Sequence, residues 1–501
     1  MIHLQVVNGQ NRNEYQVTDT CTIREFLQKQ GFREPESPCG GKGICRKCRV
    51  RVEVGRQKLM VLACRTRISS GMCIYLEKAG AMEIEKQGMG QVFAPDAESH
   101  GLAAACDIGT TTVVCHLLDP TSGKRLACCG EANAQRSFGA DVITRIRAAA
   151  EGYLEAETSL IRSQVADLLR KLCEEASREE GTEYRVEDIR TLAVAGNTVM
   201  CHLFAGLSPE SIGQAPFTPL SFFGKEYDSA RMEMPFSGKV RILPAVSGFV
   251  GGDITADLLA LRADREEGNL LLLDLGTNGE LVLKKGKDFY CCATAAGPAF
   301  EGGGIEMGMP ALAGAISSAR LVTERGRSYW QVSTIGNGQP VGICGSGLLD
   351  AAASMRRSGM LDETGAFTEE GMERCMLAGR VYLSQADIRQ LQLAKAAVAA
   401  GIRVLLQAAG LQKSEVEKVI LCGGFGSRLK PASAAAIGLI PAELADKCIA
   451  AGNTAAEGVV FAAWSGEAWR LAGKLAGQCH YLELAQQPDF GTYYMEEIDF
   501  G

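Results

Sequence analysis

The sequence is poor in residues that several kinds of function require. Histidine occurs only five times in 501 residues, at positions 3, 100, 116, 202 and 480. Scattered in this way, the histidines form neither a metal cluster nor a Cys/His dyad, and His202 reads as a core histidine. Aromatic residues make up 6%, too few for a base-stacking platform. Positive charge is not in excess: 52 Lys+Arg against 59 Asp+Glu leave a net charge of −7. That excludes a general polyanion binder, whose affinity rests on neutralising phosphates. No apolar run reaches the ~18 residues of a membrane span. The best candidate, Ala394 to Leu411, is broken by Lys395, Arg403 and Gln407 and reads as a packed amphipathic helix. Met1 leads into the alternating Ile2-His3-Leu4-Gln5-Val6-Val7, without the charged start, apolar middle and cleavage site of a leader. The expectation is a cytoplasmic protein that meets neither nucleic acid nor membrane.

Cysteine and glycine are abundant, with 19 and 58 residues against 15 prolines. In a large chain expected in reducing cytoplasm, clustered cysteines point to metal rather than disulfides. The others, including Cys128-Cys129 and Cys291-Cys292, are expected to be small buried apolar residues. The first 85 or so residues stand apart. Two strands around Asn8-Gly9 suggest a hairpin, and Thr22 three residues before Glu25 suggests a capped helix. Arg49-Val50-Arg51-Val52-Glu53-Val54 alternates as a strand should, beside a basic stretch that reads as a solvated face. Together these suggest a small α+β domain of β-grasp type over 1–85, followed by a linker over 86–102. Between helix and strand runs CGGKGICRKC, with Cys39, Cys45 and Cys48 separated by five and two residues; Cys64 follows after fifteen more. Four thiolates so spaced can bind two sulfide-bridged irons, and glycines 40, 41 and 43 let a short loop wrap them. A four-cysteine zinc site is the alternative, and Cys73 is an alternative fourth ligand to Cys64.

The second signal is internal repetition. Asp107-Ile108-Gly109-Thr110-Thr111-Thr112 is echoed by Asp274-Leu275-Gly276-Thr277-Asn278-Gly279, each between two apolar strands. One such hairpin means little. Two in a duplicated context make a nucleotide clamp, in which backbone N–H and hydroxyl groups donate to phosphate and each Asp can hold Mg²⁺ through water. Glu417 to Cys422 is a strand ending in Gly423-Gly424-Phe425-Gly426, a turn suited to adenosine. Val194 to Thr198 and Cys344 to Gly347 also end apolar runs and open helices. Asp253, in Ser247-Gly248-Phe249-Val250-Gly251-Gly252-Asp253, either orients the attacking water or caps the helix that follows. Glu496-Glu497-Ile498-Asp499 reads as a solvated acidic tail.

The paired Asp-Gly-Thr loops and the late Gly-Gly turn resemble those of the actin, sugar-kinase and Hsp70 ATPase superfamily, over about residues 103–470. AQRSFGADVITRI (134–146), AGNTVM (195–200), FVGGD (249–253) and DLGTNGE (274–280), with the cysteine loop, resemble more specifically the reductive activators of corrinoid-dependent enzymes. That resemblance implies a β-grasp [2Fe-2S] ferredoxin-like domain, then an α/β actin-like ATPase of two duplicated ribonuclease-H-like subdomains over 103–501. It implies Cys39, Cys45, Cys48 and Cys64 as cluster ligands, although the interval before Cys64 is shorter than the family's. Asp107, Gly109, Thr110, Thr111 and Thr112 would form one phosphate loop and Asp274, Gly276, Thr277, Asn278 and Gly279 the other. Gly423 and Gly424 would lie near adenosine, and Asp253 would help polarise water. The implied activity uses ATP and Mg²⁺ to return cobalt(II) of a corrinoid protein to cobalt(I) in anaerobic metabolism. A low-potential electron donor and a homodimer complete the implied set.

The energetics suit this combination. Plant-type [2Fe-2S] centres lie near −400 mV, and an uphill step of about 0.2 V costs about 4–5 kcal/mol for one electron. Nucleotide-driven closure on the partner, with altered cobalt ligation, could supply it. An ATP-gated donor to another low-potential acceptor, a small-molecule kinase with a regulatory cluster domain and a nucleotide sensor are the alternatives.

Overall fold

The computed structural model describes residues 1–8, 11–18, 20–30, 32, 48–55, 57–76, 93–96, 101–276 and 278–500. Two compact units emerge, Met1–Ala256 with Ala456–Gly473 and Asp257–Ala455 with Lys474–Gly501.

The first unit begins with strands β1 (Ile2–Asn8), β2 (Asn11–Val17), β3 (Arg49–Val54), β4 (Gln57–Leu62) and β5 (Met72–Leu76) and helix α1 (Ile23–Lys29). They form a sheet in the order β2-β1-β5-β3-β4, with β1 and β5 parallel and the other pairs antiparallel. The capping box is present: Thr22 accepts from the Glu25 N–H and Glu25 from the Thr22 N–H. Leu4, Val6, Phe26, Leu27, Val50, Val52 and Ile74 make the core of this layer. Arg51 turns outward, over the Tyr75 ring.

A second sheet holds β6 (Leu102–Ile108), β7 (Thr112–Asp119), β8 (Lys124–Ala132), β9 (Ile189–Gly196), β10 (Lys225–Asp228) and β11 (Lys239–Ile242) in the order β10-β11-β9-β6-β7-β8. Strand β6 is buried almost throughout, as a central strand covered on both faces must be. Helices α2 (Val142–Ala148), α3 (Leu154–Glu180) and α4 (Thr198–Ala205) accompany it, and α5 (Gly252–Ala260) runs on into the second unit. Within the stretch expected as a linker, Phe93 is buried against Phe461 and Asp96 bonds the Gly466 N–H.

The second unit carries β12 (Leu270–Leu275), β13 (Gly279–Lys285), β14 (Asp288–Thr294), β15 (Ala315–Glu324), β16 (Arg327–Thr334), β17 (Gly342–Ile343), β18 (Arg374–Ala378), β19 (Val381–Ser384), β20 (Lys418–Cys422), β21 (Cys448–Gly452) and β22 (Cys479–Tyr481). Its main sheet runs β21-β20-β12-β13-β14-β22. The order β11-β9-β6-β7-β8 and the order β21-β20-β12-β13-β14 match strand for strand in parallel and antiparallel sense, so the duplication extends from motif to fold. Helices α6 (Gly345–Ser358) and α7 (Gln385–Ala409) pack in this unit. Among the described residues α7 alone has the length and hydropathy of a membrane span, yet 78% of its apolar window is buried inside the fold.

Residues 496–500 correct one expectation. They are docked on the fold rather than solvated. Arg403 pairs with Glu496 at 2.7 Å and Glu497 at 3.1 Å, Gln392 donates to the Ile498 carbonyl, and Lys395 donates to the Asp499 carbonyl. Phe500 is fully buried, and its N–H bonds the Glu363 carbonyl. Burial lowers the Lys395 ammonium to about 8, with Glu497 and Asp499 acting against the shift. Phe500→Ala is therefore expected to cost about 3–5 kcal/mol, as large-to-small core changes do, read as a lower midpoint in urea unfolding.

Candidate functional site

In the N-terminal sheet the structure brings two of the expected thiol ligands together. Cys48 precedes β3 and Cys64 follows β4, and their sulfurs lie 3.2 Å apart in the apolar core. That separation is well beyond a disulfide bond of about 2.05 Å, so the two sulfurs are not bonded to one another. Two buried sulfurs this close fit one shared metal atom. Cys73 does not join them: on β5 its neighbours Met72 and Ile74 enter the core, while Cys73 lies on the face of Tyr75. Tyr75 donates to Glu53, and that bond, with Cys73 beside it, pushes the phenol up to about 12. Cys39 and Cys45 lie outside the described residues, as does Thr277.

The first Asp-Gly-Thr turn joins β6 to β7. The Gly109 N–H closes it on the Thr112 carbonyl at 2.9 Å. Asn197, the N-cap of α4, donates to the Thr110 hydroxyl oxygen at 2.8 Å, which leaves that hydroxyl's own proton free to donate elsewhere. A side chain at Gly251 would strike the Asn197 Cα at 2.5 Å, so glycine there lets the approach to α5 lie against α4. Burial drives up the pKa of the Cys201 thiol, and the negative charges of Asp253 and Asp107 add to the shift. Asp253 and Asp107 thus both act electrostatically on this buried thiol. Asp253 stands in the first turn of α5, and its Oδ1 accepts from the Ile254 N–H at 2.9 Å. Burial raises it to about 6, against the N–H groups of Ile254, Asp253 and Gly251. His202 is a satisfied core histidine: Nδ1 pairs with the Thr198 carbonyl at 2.7 Å and Nε2 accepts from the Ser221 N–H.

The second turn, in the other unit, is one residue shorter. Asp274 pairs with Glu280 and Leu275 with Gly279, where Asp107 pairs with Val114 and Ile108 with Val113. Its Gly276 N–H bonds the Asn278 carbonyl at 2.9 Å. Gly279 opens β13, and its carbonyl accepts from the Thr294 hydroxyl. Gly423 follows β20 with φ +80°, and a Cβ there would sit 2.1 Å from the Asp274 carboxylate. Nothing lies within 4 Å of a Cβ at Gly424, and Phe425 stacks on Phe300 at 4.9 Å. This open cradle of glycine and carboxylate fits a phosphate with its metal ion.

Residues 102–266 match the family described as the RACo middle region, and residues 268–500 the C-terminal domain of RACo, the ASKHA domain. The corrinoid activation enzyme RamQ of Eubacterium limosum is 30% identical, over 92% of this chain and 93% of that protein. The chain belongs to the RACo family. A [Co(II) methylated amine-specific corrinoid protein] reductase of Methanosarcina barkeri is 24% identical, over 62% of this chain and 63% of its own. The solved reductive activator for corrinoid,iron-sulfur protein superposes with a TM-score of 0.69 at 28% identity, over 99% of this chain and 98% of that one. The duplicated part of this RACo-family chain therefore has the actin-like ASKHA fold.

Several residues of this RACo-family site escaped the choice of candidates from sequence. Asn133, Arg145 and Asn197 hold the first turn from outside it. They fall in or beside the segments 134–146 and 195–200, so the segments were visible though the individual roles were not. Asp257 is buried near Asp274 and Cys422 and accepts from the Thr454 hydroxyl. Its place four residues after Asp253 on one helix was the available signal.

Proposed function

We propose that this chain is an ATP-driven reductive activator of a corrinoid protein, passing one electron from a [2Fe-2S] centre to cobalt(II) to restore cobalt(I) for methyl transfer. The observation that carries this reading is that one chain, alike to RamQ almost end to end, holds both a buried sulfur pair suited to a metal and a duplicated turn suited to phosphate. We read residues 1–85 as a β-grasp, ferredoxin-like domain, which the sheet order and the capped helix α1 support. Residues 86–102 join it to the ATP-binding part over 103–501.

Cys48 and Cys64 hold the cluster together with Cys39 and Cys45, and the apolar core around the first pair shields it from water. When bound, such a centre carries one electron at a time, near −400 mV in plant-type proteins. Thr110, Thr111, Thr112, Thr277, Asn278 and Gly279 supply phosphate donors, while Gly109 and Gly276, whose N–H groups close their turns, let the phosphate approach the backbone. Asp107 and Asp274 hold Mg²⁺ through water, the arrangement in which a hard cation keeps much of its hydration. Gly423 and Gly424 leave room for the adenosine side. Asp253 takes the proton of the attacking water, and its pKa near 6 leaves it ionised at neutral pH. A low-potential donor, a homodimer and reducing cytoplasm complete the proposal.

The test is anaerobic. Holoprotein, a low-potential donor and a cobalt(II) corrinoid protein are mixed, and the cobalt(I) absorption band is followed with and without ATP. Cobalt(I) is expected only with ATP. Its absence, with an intact cluster and measurable ATP binding, would overturn the corrinoid reading in favour of another acceptor.

A further inference from the structure

The first phosphate turn is held from behind by one stretch of chain. The Gly109 carbonyl accepts from the Asn133 side chain at 2.8 Å, the Thr111 carbonyl from the Asn133 N–H at 2.8 Å, and the Thr110 carbonyl from Arg145. Arg145 is fully buried and also bonds the Gly139 carbonyl. With all three carbonyls drawn back, the hydroxyl and N–H side of the turn is presented for an anion. Residues 133–145 thus set the shape of the turn.

The same stretch is gripped from the other side by the cysteine-bearing domain. The Ser137 carbonyl accepts two side-chain donors of α1, Arg24 at 2.9 Å and Gln28 at 3.0 Å. Gln28 and Ser137 are both almost wholly buried, so neither bond is a loose surface contact. The Arg24 N–H bonds the Ala63 carbonyl at 3.0 Å, and the Ala63 N–H bonds the Cys48 carbonyl at 2.7 Å. One residue, Arg24, therefore joins by its backbone the segment of Cys48 and Cys64 and by its side chain the segment that shapes the phosphate turn. Residues 134–138 also pack in a small cluster of their own, Ala134 and Phe138 with Ala148 and Leu160, outside the main core of the sheet. It borders a π-bulge at 149–153 in which Gly152 has φ +97°.

We propose that Arg24 and Gln28 form a latch through which nucleotide at the first turn and docking of the cysteine-bearing domain reinforce one another. The proposal rests on the nucleotide reading given above. Because the latched segment holds the turn in its donor-presenting shape, nucleotide tightens the latch, and by reciprocity loss of the latch weakens nucleotide binding.

The test uses cluster-loaded full-length protein and a non-hydrolysable Mg-ATP analogue. In the wild type the analogue is expected to slow amide exchange in peptides covering 22–30 and 62–66, which hold none of the proposed phosphate donors. The double variant Arg24→Ala/Gln28→Ala should lose that response and bind the analogue about 5–10-fold more weakly, a coupling of ordinary size. Arg24→Lys, which keeps a donor, should recover part of the affinity. Circular dichroism and the visible cluster spectrum verify the fold of each variant, and the wild-type exchange measurement stands without any variant. Unchanged exchange in the wild type, or equal affinity in a folded double variant, overturns the latch and leaves nucleotide binding intact. No binding of the analogue to the wild type overturns the nucleotide reading itself, and the latch with it.

Discussion

Asp253→Asn is expected to lower the rate of ATP hydrolysis by about 10²–10⁴-fold, the usual contribution of a general base, while leaving nucleotide binding near that of the wild type. Two roles compete for this residue, and asparagine separates them. Its carboxylate accepts from the Ile254 N–H in the first turn of α5, a capping contact that the asparagine oxygen can keep. The charge that would draw a proton from water is lost. Burial raises the wild-type carboxyl to about 6, so hydrolysis should fall as pH drops through 6, when the base is protonated, and the variant should lack that limb. The stability sign is opposite. A carboxyl whose folded pKa is raised binds its proton more tightly in the folded state, so its contribution is full below the unfolded value near 3.9 and is lost as pH rises through about 6. Asp253→Asn should remove that decline. Steady-state ATPase rates and melting temperatures across pH 4–8 measure both. An unchanged rate in the variant would show Asp253 to be a cap and nothing more.

What the sequence revealed of this molecule was whatever is local. The Thr22–Glu25 box and the alternation from Arg49 to Val54 are short-range patterns, and both appear in the structure. The two Asp-Gly turns were visible because a hairpin is encoded within a dozen residues, and their repetition foretold the matching sheets. Contacts made across long stretches of chain leave no periodicity. Arg145 reaches back 35 residues to the Thr110 carbonyl, and nothing in its neighbourhood distinguishes it from a surface arginine of an amphipathic helix. The acidic residues 496–499 read as solvated because charge runs usually are, yet Arg403 and Lys395, about a hundred residues earlier, supply their partners. The unequal lengths of the two turns were equally hidden. A one-residue change in strand pairing alters no residue type, only which residue faces which.

The second large effect separates Cys64 from Cys73, which spacing alone did not. Cys64→Ser is expected to abolish the visible absorption and the reduced-state electron paramagnetic resonance signal of the isolated protein. Cys73→Ser is expected to keep both, with about two irons per chain as a [2Fe-2S] centre requires. The reason lies in the alternation of β5. Met72 and Ile74 enter the core that contains Cys48 and Cys64, and Cys73 lies on the opposite face beside Tyr75 and Glu53. A serine at 64 removes a soft thiolate 3.2 Å from the Cys48 sulfur and leaves a hydroxyl in an apolar setting. A serine at 73 sits where a phenol and a carboxylate already form a polar face. Metal analysis of the same samples distinguishes iron from zinc, since four thiolates can bind either. Zinc at one equivalent in the wild type would remove the electron carrier from the proposal. Cluster loss in Cys73→Ser with retention in Cys64→Ser would mean that metal loading rearranges β5 and reverses the assignment of the fourth ligand.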